Sequence, residues 1–225
     1  MTLLHPPYTL WHLSYVVLGA ALASEVRIDR LIGTLVAFFL ALGIGAHALD
    51  ELNGHPLRTR IPDPLLRILA VVGLGGAVIL GIVAASTAVG PGLYVFIGTG
   101  IVLALMYPLE LAGGRLHSDL WFAVAWGAFP VLTACYASGG TVTAAAGVGA
   151  VYAVALSYAQ RTLSTWVRLL RRRTESVSGE IALASGERIP LDRGRLIAAP
   201  EAGLQWLTAV AVLAAIATLA SRLIG

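Results

Sequence analysis

The sequence predicts an all-α, polytopic membrane bundle of about seven transmembrane helices. Three observations carry that expectation. Hydrophobic residues make up 58% of the 225-residue chain and charged residues only 12%, about half the charge of an ordinary soluble domain. The charges cluster in short stretches between apolar runs of roughly 17 to 25 residues, the length that crosses a bilayer as a helix. The basic side chains are all arginine, with no lysine, and they sit in the connections beside apolar runs, where they orient a membrane protein rather than bind nucleic acid.

In chain order the expected spans are Tyr8 to Ser24, Leu31 to Leu52, Leu65 to Ser86, Pro91 to Leu111, Asp119 to Ser138, Thr141 to Gln160 and Gly203 to Ile224. The first resembles a signal peptide at Ala21-Leu22-Ala23, but it lacks a basic n-region and opens with His5-Pro6-Pro7, so it reads as a span. Gly73, Gly75, Gly76, Ala77 and Gly81, and the run from Ala144 to Gly149, predict close helix contacts, since backbone approach and dispersion drive packing in lipid. The single cysteine, Cys135, lies in an apolar run and reads as packing.

Loop charge sets the expected orientation. Arg58, Arg60 and Arg67, then Arg115, then Arg161 to Arg195 mark one side, whereas Thr87 to Gly90 and Gly139-Gly140 carry no charge. The N terminus is then cytoplasmic and the C terminus outside, in a bacterial or archaeal cell membrane. Trp11, Trp121, Trp166 and Trp206 fall near the inner interface in this arrangement.

The chain divides into a bundle (1–160), a cytoplasmic loop (161–202) and a final span (203–225). The loop opens with Arg161 to Arg173 as a basic amphipathic prolongation of the sixth span, drawn to anionic headgroups. Ile181 and Leu183, then Ser185-Gly186, then Ile189 and Leu191 read as a small β-hairpin.

One polar constellation lies within the apolar runs. The second span ends in His47, Asp50, Glu51 and His55, which at about 100° per residue share a helical sector of roughly 140°. Ionisable groups at membrane depth face cavities and mark functional paths, while Gly54 and Pro56 also suit a plain helix end. Imidazole with carboxylate is a donor set for a divalent cation, zinc or iron if the histidines ligate. His12, Glu110, Arg115, His117 and Asp119 are candidate partners on the same side.

With Pro7-Tyr-Thr-Leu-Trp11, the acidic end of span two followed by His55-Pro56-Leu-Arg58-Thr-Arg60-Ile61-Pro62, Tyr107-Pro-Leu-Glu-Leu111, Gly127-Ala-Phe-Pro130 and Tyr136-Ala-Ser-Gly-Gly140, the chain resembles the UbiA superfamily of membrane prenyltransferases over about residues 7–140. The resemblance implies a helical bundle with a cytoplasm-facing cavity that takes an isoprenoid diphosphate. It also implies magnesium held by two Asp-rich motifs and basic residues on the leaving group. Carried onto this sequence, it makes Asp50 and Glu51 the catalytic carboxylates, His47, Asp50, Glu51 and His55 the metal set, and Arg58, Arg60, Tyr107, Arg115 and His12 the substrate contacts.

The chain departs from the pattern. Ala46, His47, Asp50 and Gly54 stand where the first motif has Asn, Asp, Asp and Asp, and no acidic residue lies between Asp119 and Glu175 to form the second. Two magnesium ions beside a diphosphate require several carboxylates. Two other functions therefore stay open: a His/carboxylate metal enzyme of another class, and a noncatalytic membrane partner or transporter. Membrane lipids are the expected partners, with no nucleic acid; protein partners are not specified by the sequence.

Overall fold

The computed structural model describes residues 6–56, 59–107, 109, 113 and 118–224. Among the described residues seven helices run up and down: α1 (Pro6–Ala21), α2 (Ile28–Leu52), α3 (Asp63–Val89), α4 (Leu93–Met106), α5 (Asp119–Gly139), α6 (Ala144–Arg168) and α7 (Arg193–Ile224). Four of them, α2, α3, α5 and α7, are long and apolar enough to cross a membrane; α4 is apolar but shorter.

Hydrogen bonds fix which termini share an end. At one, Arg30 donates to Ser138 O (3.0 Å) and Ala88 O (2.6 Å), Thr143 Oγ1 to Leu22 O (2.7 Å), and Arg222 to Ala23 O (3.2 Å). At the other, His12 meets Trp126 O, and Arg161 meets Asp119. We call these the Arg30 end and the His12 end. Each helix runs from one end to the other.

The core forms around α1, which packs on α2, α5, α6 and α7 and buries Trp11, Tyr15, Val16, Leu18 and Ala20. Being enclosed on several sides, this helix tolerates His12, Ser14 and Tyr15 within an apolar sequence. It also buries Trp11 at 3% exposure, whereas Trp121, Trp166 and Trp206 lie exposed. Close approach depends on glycine as expected: a Cβ on Gly19 would stand 2.2 Å from Val131 O of α5, and one on Gly73 of α3 would stand 2.7 Å from Gly45 N of α2.

Two helix boundaries differ from the expected spans. The last helix starts at Arg193, ten residues before Gly203, because Asp192 Oδ1 accepts from Arg195 N (2.8 Å) and caps it. Pro200 sits within the helix. The fourth stops at Met106 rather than Leu111, where Tyr107 begins a turn. The basic prolongation of α6 is present, closing with a π-helical turn at Leu169–Arg173. β1 (Glu180–Ala182) pairs antiparallel with β2 (Arg188–Pro190), and Gly186 turns the hairpin at φ +86°.

Wide π-helical turns also interrupt α2 at Phe39–Ala46 and α5 at Val124–Ala128. Such turns shift the backbone ladder and recur at functional sites. Here both face α1.

Candidate functional site

At the His12 end, Tyr8 and His12 lie one turn apart on α1, so their side chains share a face. His12 is 3% exposed, and its Nδ1 lies 2.8 Å from Trp126 O, inside the π-helical turn of α5. A carbonyl only accepts, so Nδ1 carries the proton and a neutral ring presents Nε2 as an acceptor. Among the described residues Nε2 has no hydrogen-bond partner. His47 repeats the device: its Nδ1 donates to Leu42 O (2.6 Å) in the π-helical turn of α2. The Tyr8 ring stands edge-on to both imidazoles, with centroids 4.2 Å from His12 and 5.8 Å from His47. Phe122, Tyr107 and Trp126 complete the aromatic wall, with Tyr107 6.0 Å from Trp126.

Arg161 and Arg168, two turns apart on α6, face this wall. Arg161 lies 5.1 Å from the Phe122 ring centroid and donates to Asp119 Oδ1 at 2.8 Å. Half-buried Arg168 donates to Thr165 Oγ1 (3.0 Å) and has no ion pair among the described residues. Burial draws its pKa down first and neighbouring Arg161 second, yet a guanidinium remains protonated. The phenols of Tyr8 and Tyr107 lie in the combined field of Asp50, Arg161 and Arg168. A desolvated cation beside a second cation, with hydroxyls around it, is a place where an anion is stabilised.

The four residues expected to act together at the end of α2 divide into two pairs. His47 stands beside Tyr8, and Asp50 lies within electrostatic reach of the Tyr8 and Tyr107 phenols. Glu51 is fully buried on the other flank, where Oε1 accepts from Thr59 N (2.7 Å) and Thr59 Oγ1 (2.9 Å), with His55 Nδ1 at 3.7 Å. Through Nε2, His55 also reaches Asp63 Oδ1 at 3.6 Å. The helix ends at Leu52, and Gly54 (φ +90°) and His55 (φ +51°) turn the chain away, which breaks the 100° step that the shared sector assumed. Arg60 is exposed in the connection to α3. Arg58, Glu110, Arg115 and His117 lie outside the described residues.

Among the described residues no three His, Cys, Asp or Glu side chains come together to hold a metal ion. Glu51 Oε1 is engaged by Thr59, and Asp50 is exposed within electrostatic reach of the Tyr8 and Tyr107 phenols. Among the described residues the donors fall short of the several converging oxygens or nitrogens that a magnesium pair, zinc or iron needs; the candidate donors Glu110 and His117 lie outside them.

Next to the polar cluster lies a cavity of about 500 Å³ between α2, α3, α4 and α5, within the ~300–1,000 Å³ range of small-molecule sites. Small residues, including Gly33, Ala37, Gly75, Gly81 and Ala104, give it its width. Its inner end is lined by Leu42, Leu105 and Trp126, beside Tyr107 and His47; its far end reaches Asp29, Arg30 and Ala88. Arg30 and Leu42 are twelve residues apart on α2, ~18 Å of helix. The slot is the length of a lipid chain.

The fold is that of an all-α protein whose four long apolar helices are compatible with an integral membrane location, with a cluster of aromatic rings, histidines and arginines at one end and an apolar slot beside it. No family model, curated protein or solved structure matches the chain.

Sequence reasoning placed Arg161 and Arg168 on a headgroup-facing surface and did not assign Tyr8 to the site. Their signals were the seven-residue spacing of the arginines and the four-residue spacing from Tyr8 to His12. The slot has no local signal, because four helices from separate parts of the chain build it.

Proposed function

We propose that this protein binds an isoprenoid diphosphate from the bilayer, with the chain in the slot and the phosphate end at Arg161 and Arg168. The observation that carries the reading is Arg168: a half-buried cation with no ion pair among the described residues, beside a second arginine, on the far side of the Tyr107–Phe122–Trp126 wall from the apolar cavity, which Trp126 also lines. The anion offsets the cost of desolvating the guanidinium, while the chain adds about 0.8 kcal/mol per buried methylene. Tyr8 and Tyr107 donate to phosphate oxygens, and Asp50 orients a protonated group of the ligand or an acceptor. This is the binding half of the activity implied by the resemblance to UbiA-type prenyltransferases.

Prenyl transfer would follow if the arginines stabilise the departing diphosphate. The absence of a three-donor metal group among the described residues favours a second reading, in which the protein binds or moves the isoprenoid without cleaving it. We place the arginine-rich connections on the cytoplasmic side, so the diphosphate enters from there.

Binding of a fifteen-carbon isoprenyl diphosphate and of the matching alcohol to protein in nanodiscs tests the proposal. Replacing both arginines (Arg161→Gln with Arg168→Gln) should weaken diphosphate binding at least ~10-fold, since each charge-assisted bond contributes about 1.5–3 kcal/mol, and leave alcohol binding unchanged. Undetectable binding, or equal binding by the variant, would overturn it.

A further inference from the structure

At the far end of the half-open slot stands a charged side chain that also holds its walls. Arg30 projects from α2, lines the cavity, and donates from Nη1 to Ser138 O of α5 (3.0 Å) and from Nη2 to Ala88 O of α3 (2.6 Å). Ala88 and Val89 line the cavity beside it. A hydrocarbon chain extending past this point would have to separate a guanidinium from two carbonyl acceptors without replacing those bonds.

One turn inward, Gly33 lines the same cavity, and a Cβ built on it meets nothing within 4 Å. Gly75, across the slot on α3, has the same open space. Neither glycine is required by a helix crossing. Both leave room that a larger side chain would take from the occupant.

We infer that Arg30 is the end wall of the slot and sets the longest chain it accepts. The inference rests on the lipid-binding reading above and adds a specificity determinant to it. At roughly 30 Å³ for a methylene-sized group, taken as the volume share of a water molecule, about 500 Å³ holds about sixteen carbons. Three isoprene units, fifteen carbons, come closest to that size.

The test is a chain-length series of isoprenyl diphosphates with ten, fifteen, twenty and thirty carbons, bound to protein in nanodiscs. For wild type, affinity should rise up to fifteen carbons by about fourfold per methylene buried (0.8 kcal/mol), then stay level or fall. Arg30→Ala should move the break to twenty carbons or beyond. Gly33→Leu, which fills the last turn before the wall, should move it down to ten, with fifteen-carbon binding weakened at least tenfold.

Gly33→Leu adds its side chain to open space, so the test does not depend on Arg30→Ala remaining folded. A break at the same length in wild type and both variants would overturn the inference while leaving the binding reading standing. No binding of any chain to wild type would overturn both.

Discussion

Glu51 separates a structural role from a chemical one. Its carboxylate is fully buried, and Oε1 accepts both the Thr59 amide (2.7 Å) and the Thr59 hydroxyl (2.9 Å). These bonds tie the connection after α2 back onto the helix. Hydrogen bonds to a charged group contribute about 1.5–3 kcal/mol each. Glu51→Ala loses both and leaves a backbone N–H without its acceptor, so the expected cost is about 3–5 kcal/mol of unfolding free energy. Glu51→Gln keeps an oxygen that can accept both bonds and should cost about 1–2 kcal/mol.

The assay is reversible unfolding in mixed micelles, with limited proteolysis of the 53–62 connection as a local readout. Excess chelator should change neither variant relative to wild type. If Gln is as damaging as Ala, or chelator reproduces the loss, the charge of the carboxylate rather than its bonds to Thr59 sets its contribution and the assignment fails.

Other consequences concern packing and orientation. Gly19→Ala drives a Cβ against Val131 O and Gly127→Ala drives one to 2.7 Å from Ala153 O, so each should destabilise by about 1–3 kcal/mol; Gly75→Ala enters open space and should stay within about 0.5 kcal/mol. Equal effects at the three positions in the same unfolding assay would remove the basis for both helix crossings and the slot. Cys135 is fully buried and should resist a membrane-impermeant maleimide. Ser185→Cys in the hairpin should then label only from the cytoplasmic face and Ser24→Cys only from the opposite one; labelling in the reverse sense would invert the orientation.

The apolar architecture was legible because length and hydropathy are local properties: α2, α3 and α5 lie within three residues of their expected starts and ends. The hairpin followed from alternation around Ser185-Gly186, and the glycine-rich segments supplied the close crossings. The candidate site was legible only in part. His47 and Asp50 reach it, but periodicity could not foresee that α2 stops at Leu52 and carries Glu51 and His55 into a capping arrangement.

Arg168 looked like a solvated charge because amphipathic periodicity gives a direction, not what packs there. It lies within electrostatic reach of Tyr8 and Tyr107, far away in sequence. Asp192, which caps α7, was read as part of the polar loop because Pro200 and the surrounding arginines hid the helix start. The π-helical turns, whose carbonyls orient both imidazoles, carry no residue signature that distinguishes them from the α-helix on either side.

Photolabelling with a fifteen-carbon isoprenyl diphosphate carrying a diazirine on its terminal unit, followed by peptide mapping, tests the central claim most directly. The account predicts adducts on slot residues such as Gly33, Ala37, Ile97 and Phe129, abolished by excess unlabelled diphosphate and strongly reduced by Arg161→Gln with Arg168→Gln. Adducts confined to the exposed positions Val71, Ile79 and Val95, or labelling that excess ligand does not displace, would contradict it.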